Sequence, residues 1–146
     1  MKILQINCVY KRGSTGKIVH DIHKEFIHKG IKSVICYGRG PKVKEKNVFK
    51  SSSEILAKYN NLKSRITGLP YGGSWFSTNY LLKIVKKENP DIVHLHCING
   101  YFVNIYKLIK FLNQNNIRTV LTLHGEVVDM HLIVINGKLD VVIVHN

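Results

Sequence analysis

Hydrophobic and polar positions alternate along residues 2–9, KILQINCV, and the β-branched content of the run predicts a first strand. From Thr15 the spacing lengthens. Ile18, Val19, Ile22, Phe26 and Ile27 recur at helical intervals as far as Gly30, a natural helix stop. KSVICYG is the second predicted strand, closed by GRGP. Residues 41–52 form a polar loop with a short strand at Asn47–Lys50, after which Ser53 is placed to cap a helix through EILAKYNNLKSRI. GLPYGGSW interrupts that pattern. Ser77 or Thr78 is expected to open the next helix, NYLLKIVKKEN, which Pro90 stops. DIVHLHC then reads as a buried strand, INGYF as a loop, VNIYKLIKFLNQNN as a helix and RTVLTLH as a further strand.

Strands alternating with helices imply right-handed parallel crossovers. The fold class expected is α/β, a doubly wound Rossmann-like, mostly parallel sheet with helices on both faces in a single domain. Ligands of such sheets bind at the carboxyl ends of the strands. That rule gathers four sequence-distant pieces on one rim: Gly13–Lys17, Gly38–Gly40, His96–Gly100 and His124–Gly125.

The first piece, GSTGK, invites comparison with a P-loop. A Walker A loop needs glycine five residues before the Gly-Lys pair and Ser or Thr after it. Lys11 and Ile18 occupy those positions, so neither the backbone freedom nor the Mg²⁺ hydroxyl is present. What remains is a helix start whose Ser14, Thr15 and Gly16 amides point toward an anion, with Arg12 and Lys17 adding charge. A tight turn that needs its glycines only for geometry explains the same residues. His94 and His96 share a strand face and His124 ends the next strand. No cysteine or carboxylate joins them at ligand spacing, so no metal is expected. His20, His23 and His28 read as ordinary, partly exposed helix positions, with His20 and His23 on one face. A nucleophilic serine has no Gly-x-Ser-x-Gly elbow to rest on.

Composition narrows the picture further. The chain of 146 residues suits one domain. No apolar run approaches a membrane span, and Met1 leads directly into a strand pattern rather than a signal peptide. The three cysteines, Cys8, Cys36 and Cys97, sit singly in apolar runs, as reduced thiols of a cytoplasmic protein do. The net charge of +13 comes mostly from lysine in a chain also rich in Asn and Ile, which fits codon bias in an AT-rich genome. There is no arginine cluster and no basic stripe interleaved with aromatics, so no nucleic-acid partner is expected. Basic helices resting on an anionic inner membrane leaflet are the most membrane contact this composition suggests.

The stretches KILQINCVYKRGSTGKIVHDIHKEFIHKGIKSVICYGRG and PDIVHLHCINGYFVNIYKLIKFLNQNNIRTVLTLHG, in this order and separation, resemble the N-terminal half of a family-four glycosyltransferase of the GT-B fold. The resemblance is greatest to bacterial colanic-acid and capsule-type enzymes and spans residues 1–125. It implies an acceptor-side Rossmann-like domain facing a nucleotide-sugar domain across a cleft. It further implies that Gly13, Ser14, Thr15, Gly16 and Lys17 approach the donor diphosphate and acceptor. His124 would lie by the transferred sugar as the catalytic position, with His96, Asn99 and Gly100 on the acceptor side. Transfer would retain configuration, with no protein nucleophile, metal or cofactor. The partners implied are a nucleotide sugar, bound only with a donor domain, and a saccharide or lipid-linked acceptor for cell-surface polysaccharide. Two departures stand out. The chain contains no donor domain with its paired glutamates and basic residues, so half the catalytic charge stabilisation is missing and the chain alone is expected to be inactive. Gly125 stands where the family commonly has aspartate.

Residues 126–146 do not match the family's usual continuation as that resemblance presents it. Locally they read as a hairpin: HLIVI, an Asn136-Gly137 turn, then LDVVIV. Such a hairpin would cover or extend a sheet edge. The codons of this segment are also compatible with a shifted frame that reads as a tryptophan- and cysteine-rich continuation, so a frameshifted tail is the expectation for 126–146. Two other functions stay open on the sequence: a stand-alone saccharide-binding module or split-enzyme partner, and a basic nucleic-acid binder.

Overall fold

A computed structural model describes residues 1–68, 74–99, 101–124 and 139–144. The chain runs through β1 (Lys2–Asn7), α1 (Gly13–His28), β2 (Lys32–Tyr37), β3 (Val48–Lys50), α2 (Glu54–Thr67) and α3 (Trp75–Glu88). It continues through β4 (Ile92–Leu95), α4 (Ile105–Gln114), β5 (Arg118–His124) and β6 (Leu139–Val144). The strands form one six-stranded sheet in the order β3-β2-β1-β4-β5-β6, and each neighbouring pair is parallel. The chain leaves β1 in one direction to make β2 and β3, then returns past β1 to make β4. The β1/β4 boundary is therefore the point where strand order reverses, and the crevice above it is where ligands of such sheets bind.

Strict alternation explains the two faces. Leu4 and Ile6, in register with Val34 and Cys36 on one side and Val93 and Leu95 on the other, face the main core. Leu81, Leu82, Ile84 and Val85 of α3 and Leu108 and Leu112 of α4 close over them. On the opposite face Val19 of α1 packs with Ile35, Tyr37, Val48 and Tyr10. Helix boundaries follow capping chemistry. Ser53 accepts from the Leu56 amide at 3.2 Å and Gly68 ends α2 at φ +65°; Asn104 accepts from the Lys107 amide at 3.0 Å to open α4.

The predicted elements are present, with local corrections. Helix α1 begins at Gly13 rather than Thr15. Helix α3 opens at Trp75, not at Ser77 or Thr78. Those two hydroxyls read as caps because of their residue type, but a longer-range use claims them: Ser77 donates to the Phe102 carbonyl, and Thr78 accepts from the Asn104 amide at 2.7 Å. The second arm of the expected hairpin is β6, which extends the sheet parallel to β5, with Thr119 opposite Leu139 and His124 opposite Val144. The first arm and the Asn136-Gly137 turn lie outside the described residues. No helix among the described residues is long and apolar enough to cross a membrane.

Candidate functional site

The reversal point is tied together by one side chain. Asn7 ends β1 fully buried. Its Nδ2 donates to the Val9 carbonyl at 2.8 Å and lies 3.5 Å from Thr15 Oγ1, while its Oδ1 accepts from the Cys97 amide at 3.0 Å. A single amide thus links the end of β1, the loop entering α1 and the loop leaving β4. Main-chain bonds continue the lacing: the Cys8 amide donates to the Cys97 carbonyl at 2.7 Å, and the Arg39 amide to the Cys8 carbonyl at 2.7 Å.

Both glycines of Gly13–Lys17 have a geometric reason. Gly13 sits at φ +63°, a conformation that costs a side-chain-bearing residue free energy. Gly16 is buried where a Cβ would lie 3.1 Å from Val9 Cγ2 and 3.3 Å from the Lys11 amide nitrogen, and its carbonyl accepts from that same amide at 3.0 Å. The tight-turn explanation therefore accounts for both. It leaves the first turn of α1 with no acidic residue and no side-chain cap, with Arg12 and Lys17 exposed beside Ser14. A positive helix end that is open to solvent suits an anion.

Lys11, by contrast, is turned outward. It adopts φ +61° and pairs with Glu45, whose carboxyl the Lys11 ammonium holds below the usual range. Tyr10 joins the same cluster, its hydroxyl 3.0 Å from His20 Nδ1 and 3.3 Å from Glu45 Oε2. Burial pushes the Tyr10 phenol up, so it stays a donor. The cluster fixes the outer wall of the loop.

Of the other rim pieces, Gly38 is a packing position: a Cβ there would fall 2.0 Å from Phe102 Cγ, so the loop after β4 lies directly on the end of β2. Asn99 is exposed and its Oδ1 accepts from Cys97 Sγ at 2.8 Å. Gly100 lies outside the described residues. His96 lies below the surface at 2% exposure, so it lines the floor under the rim rather than the rim itself. Its Nε2 is 3.1 Å from Gln5 Oε1, and its ring centroid lies 3.9 Å from that of His94, the planes tilted by 35°; His94 in turn reaches Thr122 Oγ1 at 2.7 Å. His124 is the last residue of β5.

Gln5 extends this contact across the sheet. Its Nε2 donates to Ser33 Oγ at 3.4 Å, and Ser33 Oγ lies 2.7 Å from His23 Nδ1. Where the Ser33 hydroxyl gives its proton to His23, Nδ1 of His23 is the acceptor and the ring is neutral. Burial acts in the same direction, holding His23 below the ordinary histidine range. The thiols at the rim are also neutral groups: burial beside Cys97 pushes Cys8 up to about 11. They do not supply a thiolate nucleophile.

Asn7, Gln5 and Phe102 were not singled out from the sequence. The available signal was two amides, Gln5 and Asn7, at alternate positions of a strand flanked by apolar residues. Their spacing places both on the face opposite Leu4 and Ile6.

A model of the family described as Glycosyltransferase Family 4 matches residues 15–145, a span that includes β6. A solved structure described as an alpha-glucosyltransferase in complex with UDP and a 13-mer DNA containing a HMU base is similar at a TM-score of 0.50 and 18% identity. The similarity covers 87% of this chain but 31% of that one, so the chain spans less than a third of that enzyme's length. At this identity the likeness concerns the fold. No curated protein matches the chain.

Proposed function

The chain belongs to glycosyltransferase family 4, and from that premise we propose that it forms the acceptor-side half of a retaining transferase cleft. In this reading a nucleotide-sugar donor is held mainly by a second domain, and this chain presents its rim to the diphosphate and the acceptor. The observation that carries the reading is the β1/β4 reversal point, where Asn7 joins the Gly13–Lys17 loop to the loop holding Asn99.

The open first-turn amides of Ser14 and Thr15, with Lys17, meet the charge that develops on the departing diphosphate, and Gly16 lets the backbone pack closely beneath them. In the transfer step the bond from the sugar's anomeric carbon to the diphosphate oxygen breaks. A bond from the same carbon to the acceptor hydroxyl oxygen forms on the same face. The hydroxyl proton passes to the departing diphosphate oxygen, so no protein nucleophile is needed. His124 orients the transferred sugar from the end of β5, and Asn99 and Gly100 shape the acceptor side. His96 acts beneath them through Gln5 and His94. The acceptor class is a saccharide, free or carried on a lipid, in cell-surface polysaccharide synthesis.

The test is an amide-resolved NMR titration of the chain with UDP, beside an assay of sugar transfer from UDP-glucose. Saturable shifts at Ser14, Thr15, Gly16 and Lys17 are expected, without transfer by the chain alone. Shifts that never saturate, or that scatter over the surface lysines, would overturn the assignment of this loop. Turnover by the chain alone would overturn the requirement for a second domain.

A further inference from the structure

Helix α2 is inside out. Ile55, Tyr59, Leu62 and Ile66 recur at spacings that place them within an arc of about 60° on a helix. Such a stripe ordinarily faces a core. Here the residues that α2 buries are Ala57 and Asn60, on the opposite side, and the stripe stands in solvent: Ile55 is 80% exposed, Tyr59 62%, Leu62 59% and Ile66 76%. The helix is anchored through polar groups. Asn60 Nδ2 donates to Ser74 Oγ at 2.9 Å and to the Tyr101 carbonyl at 3.2 Å; Glu54 takes Arg39 and the Gly40 amide. The start of α3 adjoins this anchor and leaves Trp75 and Phe76 exposed as well. Lys107 lies over the Trp75 ring, 3.5 Å from its centroid.

The charges around the stripe identify its occupant. Lys58 and Arg65 flank it on one side and Lys63 on the other, all exposed. The single acid of α2, Glu54, is neutralised by Arg39, which together with the Gly40 amide holds its carboxyl below the usual range. Protein interfaces are depleted of lysine around their apolar centres. A second copy of a chain carrying +13 would meet strong like-charge repulsion. An apolar stripe edged by cations on both sides, with Trp and Tyr beside it, matches the plane between anionic lipid headgroups and acyl chains.

We infer that the stripe of α2 docks the chain on an anionic bilayer surface, with the exposed Trp75 and Phe76 at the start of α3 as further apolar side chains for the same surface. The stripe enters the acyl boundary, and Lys58, Lys63 and Arg65 meet the headgroups. Because α2 is anchored to the loops after β2 and β4, the bilayer would lie beside the rim of the candidate site. A lipid-linked acceptor would then reach the site along the membrane plane. That last link rests on the transferase reading; the docking itself does not, and its test uses no sugar.

The test is flotation of the full chain with vesicles of phosphatidylcholine alone or with 30% phosphatidylglycerol, a content of about one anionic lipid in three. Fluorescence of Trp75, the single tryptophan, is read in parallel. Binding to the anionic vesicles is expected, weakened by salt, with a blue shift of the tryptophan emission. The triple variant Ile55→Ser, Leu62→Ser, Ile66→Ser should keep its thermal unfolding transition, since these side chains are exposed, and lose at least about tenfold in vesicle affinity. The variant Lys58→Gln, Lys63→Gln, Arg65→Gln should bind more weakly and lose most of its salt dependence. No binding to anionic vesicles would overturn the inference. So would binding that the serine variant leaves intact, which is charge attraction alone. So would a concentration-dependent dimer in sedimentation that the serine variant abolishes, which would make a second copy the occupant.

Discussion

The two faces of the sheet are cut from the same strands, yet they are held by different chemistry. The face under α3 and α4 is a continuous apolar core from Val34 through Ile6 and Leu95 to Leu121. The face under α1 carries a hydrophobic cluster at its β2 end only; beyond it runs a buried polar band, His23 to Ser33 to Gln5 to His96, with His94 reaching Thr122. An apolar contact has no preferred direction, so that face is held by close packing and buried area rather than by individual pairs. In a polar band each member needs its own partner in its own place. The candidate site rises from the rim of that second face, where Asn7 continues the line of amides begun by Gln5. Bulk stability thus belongs to one side of the sheet and fixed geometry at the site to the other.

The largest effect should come from the apolar side: Phe102→Ala should cost about 3–5 kcal/mol in urea unfolding, because its ring is fully buried. Gly38→Ala should cost about 1–3 kcal/mol by driving a methyl into that ring. Combined, the two should be less costly than their sum, since Phe102→Ala removes the ring that obstructs the methyl of Gly38→Ala. Strict additivity would mean that Gly38 and Phe102 are not in contact. On the polar side, Gln5→Leu preserves volume but leaves Ser33 and His96 without their shared partner, and about 1–3 kcal/mol should be lost. NMR should show the His96 ring disturbed while the α3 and α4 resonances hold. An unchanged His96 would remove the band as a connected unit.

A smaller effect should appear with pH. Burial, reinforced by the His20 charge, keeps His23 below its ordinary value of 6.5, with Glu45 opposing and Lys11 assisting the shift. The unfolded chain therefore takes up a proton that the folded chain resists. Stability is full above that ordinary value and falls as pH drops through it, until the lower folded value is reached, with a slope of at most about 1.4 kcal/mol per pH unit. His23→Gln should flatten this part of the profile; an equally steep decline in the variant would assign it elsewhere. The smallest effect should be that of Lys11→Ala, which removes a partly exposed ion pair with Glu45 worth about 0–1 kcal/mol. A high-salt melt should erase the difference from the parent chain.

Much of the fold was legible because its signals are local. The alternation in KILQINCV and RTVLTLH, the Ser53 cap and the glycine stops each depend on residues within one turn or one pleat. The α/β class and the gathering of loops at the strand ends followed from them. What local signals missed were uses at a distance. Ser77 and Thr78 serve a loop some 25 residues on, which no capping rule includes. Gln5 and Asn7 find partners about 90 residues away. The Asn136-Gly137 turn drew attention to a hairpin, while the pairing of 139–144 described here is parallel and with β5. For the site, the loop residues were legible as a group. That Lys11 braces the loop outward, and that His96 lies beneath the rim, depended on side-chain directions that spacing does not carry.

The placement of β1 in the middle of the sheet has a consequence for how the chain is made. Its partner on one side, β2, follows within about thirty residues, but its partner on the other, β4, is synthesised only after α2 and α3. At a ribosomal pace of about 5–20 residues per second, the unpaired edge of β1 waits for seconds beside a nascent β1-α1-β2 unit. An open, apolar strand edge is a template for wrong pairing. The interval before Ile92–Leu95 emerges is thus the stage at which this chain most needs a chaperone, and the stage at which a slow codon after β3 would lower its yield.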